Sequence, residues 1–197
     1  MDGKYLEKMF VLGIDKIEIS RRKNIIGFDK KNAESLRLHS YLVKENIRKI
    51  IDCIKYELLL KNHLSTDFIA SLKSPNAYVL VREYILQLCS GKYDEEYVRH
   101  RIEVGRYYKK MGATTDMLLA SMHIIKYAVS KFVESEIEDE ENRFFLESLD
   151  KILMLDSIIV LDTFICELVC DAEDNNRELS VYISELEMKI KRKHEAC

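Results

Sequence analysis

The sequence predicts an all-α protein, and three observations carry that expectation. Glycine and proline are scarce, six and one among 197 residues, too few for the tight turns of an all-β fold. Apolar residues recur at helical spacing along most of the chain, and no stretch competes as a strand. Caps and glycine stops then divide these stretches into six or more helices with short connections.

Up to about Gly27 the chain has low regularity, with room for one or two short helices. From Asp29, a capping residue, "DKKNAESLRLHSYLVKENIRKIIDCIKYELLLKN" keeps a helical pattern. That stretch is too long for one ordinary globular helix, so a break is expected near Ser40. Ser65 is suited to cap a short helix carrying Phe68 and Leu72. The clearest boundaries follow. Ser74 stands at a cap, Pro75 at the first helical position and Gly91 just past the end. Asp94 caps the next helix, which Gly112 closes where a left-handed residue is wanted. Thr114 or Thr115 opens another helix running to about Ser135. After the acidic turn "ESEIEDEEN", the last long helix starts near Glu140.

Composition excludes several functions. A net charge of -3 gives no reason to expect nucleic acid as a partner. The opening "MDGKYLEKMF" mixes charges into its apolar residues and does not read as a signal peptide. The most apolar run, "ILMLDSIIVLDTFICELVC", is interrupted by Asp156, Asp162 and Glu167, each costly inside a bilayer, so no membrane insertion is expected. Five cysteines without a paired framework suit a reducing cytoplasm. Cys166 and Cys170 stand at i and i+4 with no partnering pair, so ordinary burial is expected of them. There is no phosphate loop, nucleophile elbow or histidine-pair zinc motif, and the chain is not expected to be an enzyme.

Two features remain. Between Ile152 and Cys170 apolar residues cover most of the helix circumference, and "MLLASMHIIKYAVSKFV" before it is nearly as apolar. A monomer's surface helix needs one apolar stripe, so these two helices are expected to meet their own copies about a two-fold axis. The second feature is "YVRHRIEVGRYYKKMGA", where Tyr97, Arg101, Val104, Tyr108 and Met111 share one helical face. Phenols and a guanidinium stand there in place of the usual Leu and Ile.

"GKYDEEYVRHRIEVGRYYKKMGA" resembles the central signature of the globin-coupled sensor and protoglobin family. Tyr93 and Asp94 match its turn, Tyr97 its aromatic, Arg101 its arginine, Val104 and Gly105 its small step, and Met111 and Gly112 its helix end. "RRKNIIGFDKKN", "LLLKNHLSTDF" and "LESLDKILMLDSIIVLDTFI" resemble other parts of the family pattern, so the resemblance covers roughly residues 20 to 170. It implies a globin-like helical sandwich, a homodimer through the last two globin helices, haem and oxygen or other gas binding, and a signalling output protein or domain. The chain then divides into an N-terminal extension (1–26), a globin-sensor domain (27–172) and a C-terminal helical tail or linker (173–197).

The resemblance also points to altered chemistry. The proximal haem-histidine position falls on Tyr108, and the distal tyrosine position on Lys55, with Tyr56 one residue later. Tyr108 as an iron ligand requires a phenolate, which Arg101 would favour by its charge. The cofactor-binding candidates are therefore Tyr108, Lys55, Tyr56, Val104, Arg101 and Met111, with Tyr108 as the metal ligand. His100 is expected to point away from the Tyr108 face, His123 to be a core residue, and His39 and His63 to lie at helix ends. The alternative is a haem-less globin-fold regulator. Its pocket is either closed by Tyr107, Tyr108, Met111, Met117 and Met122 or holds an apolar or fatty-acid-like guest, with Lys55 meeting a carboxylate head. Leu179, Ile183, Leu186 and Ile190 follow the spacing of a short coiled-coil seam suited to a signalling partner.

Overall fold

A computed structural model describes residues 14–60 and 75–195. Within them lie eight α-helices: α1 Lys16–Ile25, α2 Lys30–Leu38, α3 Ser40–Glu45, α4 Ile47–Leu60, α5 Pro75–Leu88, α6 Glu95–Lys110, α7 Thr115–Val133 and α8 Asp139–Glu195. One 3₁₀ turn, Glu134–Glu136, precedes α8. No strand occurs among the described residues. The expected helices on Ser65 and the cap at Ser74 lie outside the described residues, as do His63 and Cys197.

The boundaries follow local chemistry. Asp29 accepts from the backbone N–H of Lys31 and Asn32, while the Asn32 side chain accepts from the Asp29 N–H, closing a reciprocal cap. Asn32 then donates to Ser148 Oγ at 3.0 Å, which pins α2 to α8 in the interior. The long pattern from Asp29 breaks twice, at His39 and at Asn46, where a single break near Ser40 was expected. Side-chain competition explains both breaks. His39 Nδ1 lies 2.9 Å from the Ser35 carbonyl, and Asn46 Nδ2 donates to the Leu42 carbonyl. Asp94 caps α6 through the N–H groups of Glu96 and Tyr97. Gly112, at φ +65°, turns the chain from α6 into α7.

The helices pack in crossed layers, with α6 and α2 along α8 and α4 along α7. Gly105 is what brings α6 close to α8. A Cβ there would lie 2.8 Å from Thr163 Cβ and 2.9 Å from the Val160 carbonyl oxygen. Only a residue without a side chain permits that crossing. The core runs through Leu36, Ile50, Ile85, Ile102, Leu118 and Ile152, all buried. No helix among the described residues is long and apolar enough to cross a membrane.

The expectation for His123 changes: it is exposed on α7 and is not a core residue. His39 stands at a helix end as expected, between α2 and α3, and is half-buried with its ring edge-on to Phe145 at 5.5 Å.

Candidate functional site

An apolar cavity of about 310 Å³ lies between α4, α5, α6 and α7. Ile54 and Leu58 line it from α4, Leu80 and Val81 from α5, and Met122 and Ile125 from α7. From α6 come His100, Arg101, Glu103, Val104, Tyr107 and Tyr108.

Three sequence candidates, Arg101, Val104 and Tyr108, are thus brought to one cavity. Lys55, Tyr56 and Met111 are not among its lining residues. Lys55 places its ammonium 5.4 Å from the centre of the Tyr78 ring, and Tyr56 is 61% exposed. Ile54 faces the cavity, and successive helical residues are turned about 100° apart, so the cavity-facing position of this turn falls just before Lys55. His100 corrects the opposite expectation. It lines the cavity because His100, Val104 and Tyr107 repeat at four-three spacing along α6. Of the residues proposed to close the pocket, Tyr107, Tyr108 and Met122 line it, whereas Met117 and Met111 do not.

Arg101 is fully buried, and so is its partner Asp156 on α8. Arg101 Nε donates to Asp156 Oδ2 at 2.7 Å, and Nη1 donates to Gln87 Oε1 at 2.8 Å. Tyr84 and Tyr97 donate their hydroxyls to the same carboxylate at 2.7 and 2.6 Å. Their rings also sandwich the guanidinium, with centroids 4.1 and 4.0 Å from Cζ. Burial pushes both phenols well above their ordinary range, so they remain protonated donors. At Asp156, burial raises the carboxyl, while the guanidinium and the two hydroxyls pull against it. The arrangement satisfies a charge pair that would otherwise be prohibitive at this depth.

Below this pair, α6 is tied to α8 turn by turn. Arg106 Nε bonds Glu167 at 3.0 Å, and Lys109 pairs with Asp171. On α1, Arg22 reaches Asp162 at 2.7 Å.

Tyr108 points the other way, toward α7. Its hydroxyl donates to Ser121 Oγ at 2.6 Å, and Ser121 donates onward to the Leu118 carbonyl at 2.7 Å. Burial raises this phenol above its ordinary value, with the Ser121 contact opposing. Iron ligation would need the phenolate. The cation expected to favour that anion, Arg101, is already neutralised by Asp156. Tyr108 as it stands, a buried neutral phenol bonded to Ser121, therefore does not fit the iron-ligand role expected of it. Among the described residues no group of three or more His, Cys, Asp or Glu side chains is arranged to hold a metal ion.

Asp156, Tyr84 and Ser121 were missed from sequence. Asp156 did carry a signal, since a carboxylate inside so apolar a helix requires a buried partner.

A family model for Protoglobin matches residues 15–169. The chain belongs to the Protoglobin family. Haem and gas binding is the usual role of that family, and its globin domains serve as sensors. Among solved structures, the globin domain of the Geobacter sulfurreducens globin-coupled sensor superposes with a TM-score of 0.65 at 19% identity. That match covers 74% of this chain and 96% of the other. At this identity the likeness establishes the globin fold. No curated protein matches the chain by sequence. The family match begins at residue 15 and so includes α1.

Proposed function

We propose that this protoglobin-family chain is a non-catalytic cytoplasmic sensor domain that responds to a small apolar guest and not to a haem-bound gas. One observation carries the reading. Helix α6 forms a wall of the cavity and is fastened to α8 through Arg101–Asp156, Gly105–Thr163, Arg106–Glu167 and Lys109–Asp171. A guest that moves α6 must shift α8, which continues to Glu195.

Exposed apolar side chains support assembly through the last two helices. Met154, Ile165, Leu168 and Val169 lie on α8, and Leu119 and Tyr127 on α7. A second copy covering them gives a homodimer in which the two α8 helices deliver the signal to an output partner. Leu179 and Ile183 of the proposed seam are exposed, as a docking seam requires. Leu186 and Ile190 lie outside the described side chains. Ile165→Glu with Leu168→Glu is expected to convert the dimer to monomer in analytical ultracentrifugation.

The test of the reading uses two probes on the full chain. Added hemin is expected to give no Soret band that survives gel filtration; a retained sharp band overturns the haem-less reading. Octan-1-ol is expected to raise the melting temperature and to change amide exchange in α8 around 156–171. Exchange that changes only in α4, α5 and α7 would sink the relay.

A further inference from the structure

The charges around the cavity define a class of guest. Most of its wall is hydrocarbon, but the polar part carries Glu83, Gln87, His100 and Glu103. Among the described residues, Arg101 is the only lysine or arginine in the lining. Its charge is cancelled by Asp156 at 2.7 Å, both side chains being fully buried. Gln87 already accepts from Arg101, and Ser121 is engaged with Tyr108 and Leu118. Lys55, the cation expected to meet a carboxylate head, is not in the lining and faces Tyr78. That leaves two carboxylates. Glu103 is shared with Arg99 at 3.5 Å and His100 at 3.6 Å, while Glu83, exposed at the cavity's rim, makes no ion pair among the described residues.

We infer that the cavity takes an amphiphile whose head is a protonated amine, with its chain against Ile54, Leu58 and Ile125 and its head beside Glu83 and Glu103. A carboxylate head would meet Glu83 and the already shared Glu103, with no lysine or arginine among the described lining residues free to offset them. Haem, which brings two carboxylates of its own, meets the same field. The inference rests on the cavity being a guest site and adds the sign of the guest's charge.

The test compares three molecules of equal chain length on the full chain at neutral pH: octylammonium, octan-1-ol and octanoate, titrated by calorimetry. Octylammonium is expected to bind about tenfold or more tighter than octan-1-ol, and octanoate more weakly than both. In Glu83→Gln with Glu103→Gln, octylammonium is expected to fall to the level of octan-1-ol, while octan-1-ol binding stays unchanged and reports an intact cavity. Octan-1-ol or octanoate binding as tightly as octylammonium to the unmodified chain overturns the amine assignment alone. Binding by none of the three overturns the guest-site reading together with it.

Discussion

The two faces of α6 are built on opposite principles. Toward α8, the helix is held by a fully buried ion pair, a close crossing at Gly105 and further charge pairs at Arg106 and Lys109. Toward α4, α5 and α7, it meets apolar side chains around a cavity of about 310 Å³. The first face has one geometry in which its donors and acceptors are satisfied; the second can rearrange at little polar cost. A single helix therefore joins a rigid seam to a yielding one. Under the proposed function, movement that begins in the yielding seam would be passed on by the rigid one.

Removing Asp156 gives the largest expected effect. Asp156→Ala strands Arg101 and two phenols in the core and should cost about 3–5 kcal/mol in urea denaturation. Arg101→Met combined with Asp156→Leu should recover most of that loss. A double variant as unstable as the single one would show that the pair is a net stabiliser, not a device of register. Gly105→Ala comes next. Its new methyl group meets Thr163 and the Val160 carbonyl, so α6 must move off α8. The strain should cost about 1–3 kcal/mol, offset in part by the better helix propensity of alanine, about 1 kcal/mol. Adding Thr163→Ala should restore only part, because the backbone carbonyl stays in place; full restoration would locate all the strain in the Thr163 side chain.

On the yielding face the effects are smaller. Ser121→Ala removes an acceptor of the Tyr108 hydroxyl and should lower the unfolding free energy by about 1 kcal/mol, leaving the α6–α8 contacts intact. A loss as large as that of Asp156→Ala would erase the contrast between the faces. Smallest is a pH effect at α1, which hangs on α8 through Arg22 and Asp162. Glu18 bonds Arg21 and Arg22, and these hydrogen bonds hold its pKa down to about 2 from 4.5. Its contribution is complete above about pH 4.5 and fades as the pH falls toward 2, because protonation then occurs in the folded state also. The stability gap between the unmodified chain and Glu18→Gln should narrow over that window, from at most about 1 kcal/mol for an ion pair so near the surface. A gap that holds constant through the window would remove Glu18 from the account.

The helices were legible because their ends are written in local chemistry. Pro75, Asp94, Gly112 and Thr114 each act within a few residues of themselves, and the structure puts helix boundaries at all four. The cavity was only half legible. Helical periodicity places Tyr108 and Arg101 on a shared face, yet it says nothing of which side chain on another helix each will meet. Arg101 therefore looked available to Tyr108, when Asp156, 55 positions along the chain, already holds it. On α4, one residue of register separated Lys55 from the cavity-lining Ile54, a distinction that only the packing against α5 and α7 makes. His100 was misjudged for a simpler reason. Tyr108 is rotated about 80° from it around the helix, whereas Val104 and Tyr107 lie within about 40°.

The unbroken run of α8 has a mechanical consequence. Its 57 residues make a rod of about 85 Å, of which the last 24, beyond Asp171, extend for roughly 36 Å. Tilting that rod by about 5° at its pivot under Gly105, beside Thr163, sweeps its far tip through about 4 Å, by the helix rise alone. A sub-ångström displacement at the pocket would thereby be magnified into a swing of several ångströms at the far end of α8.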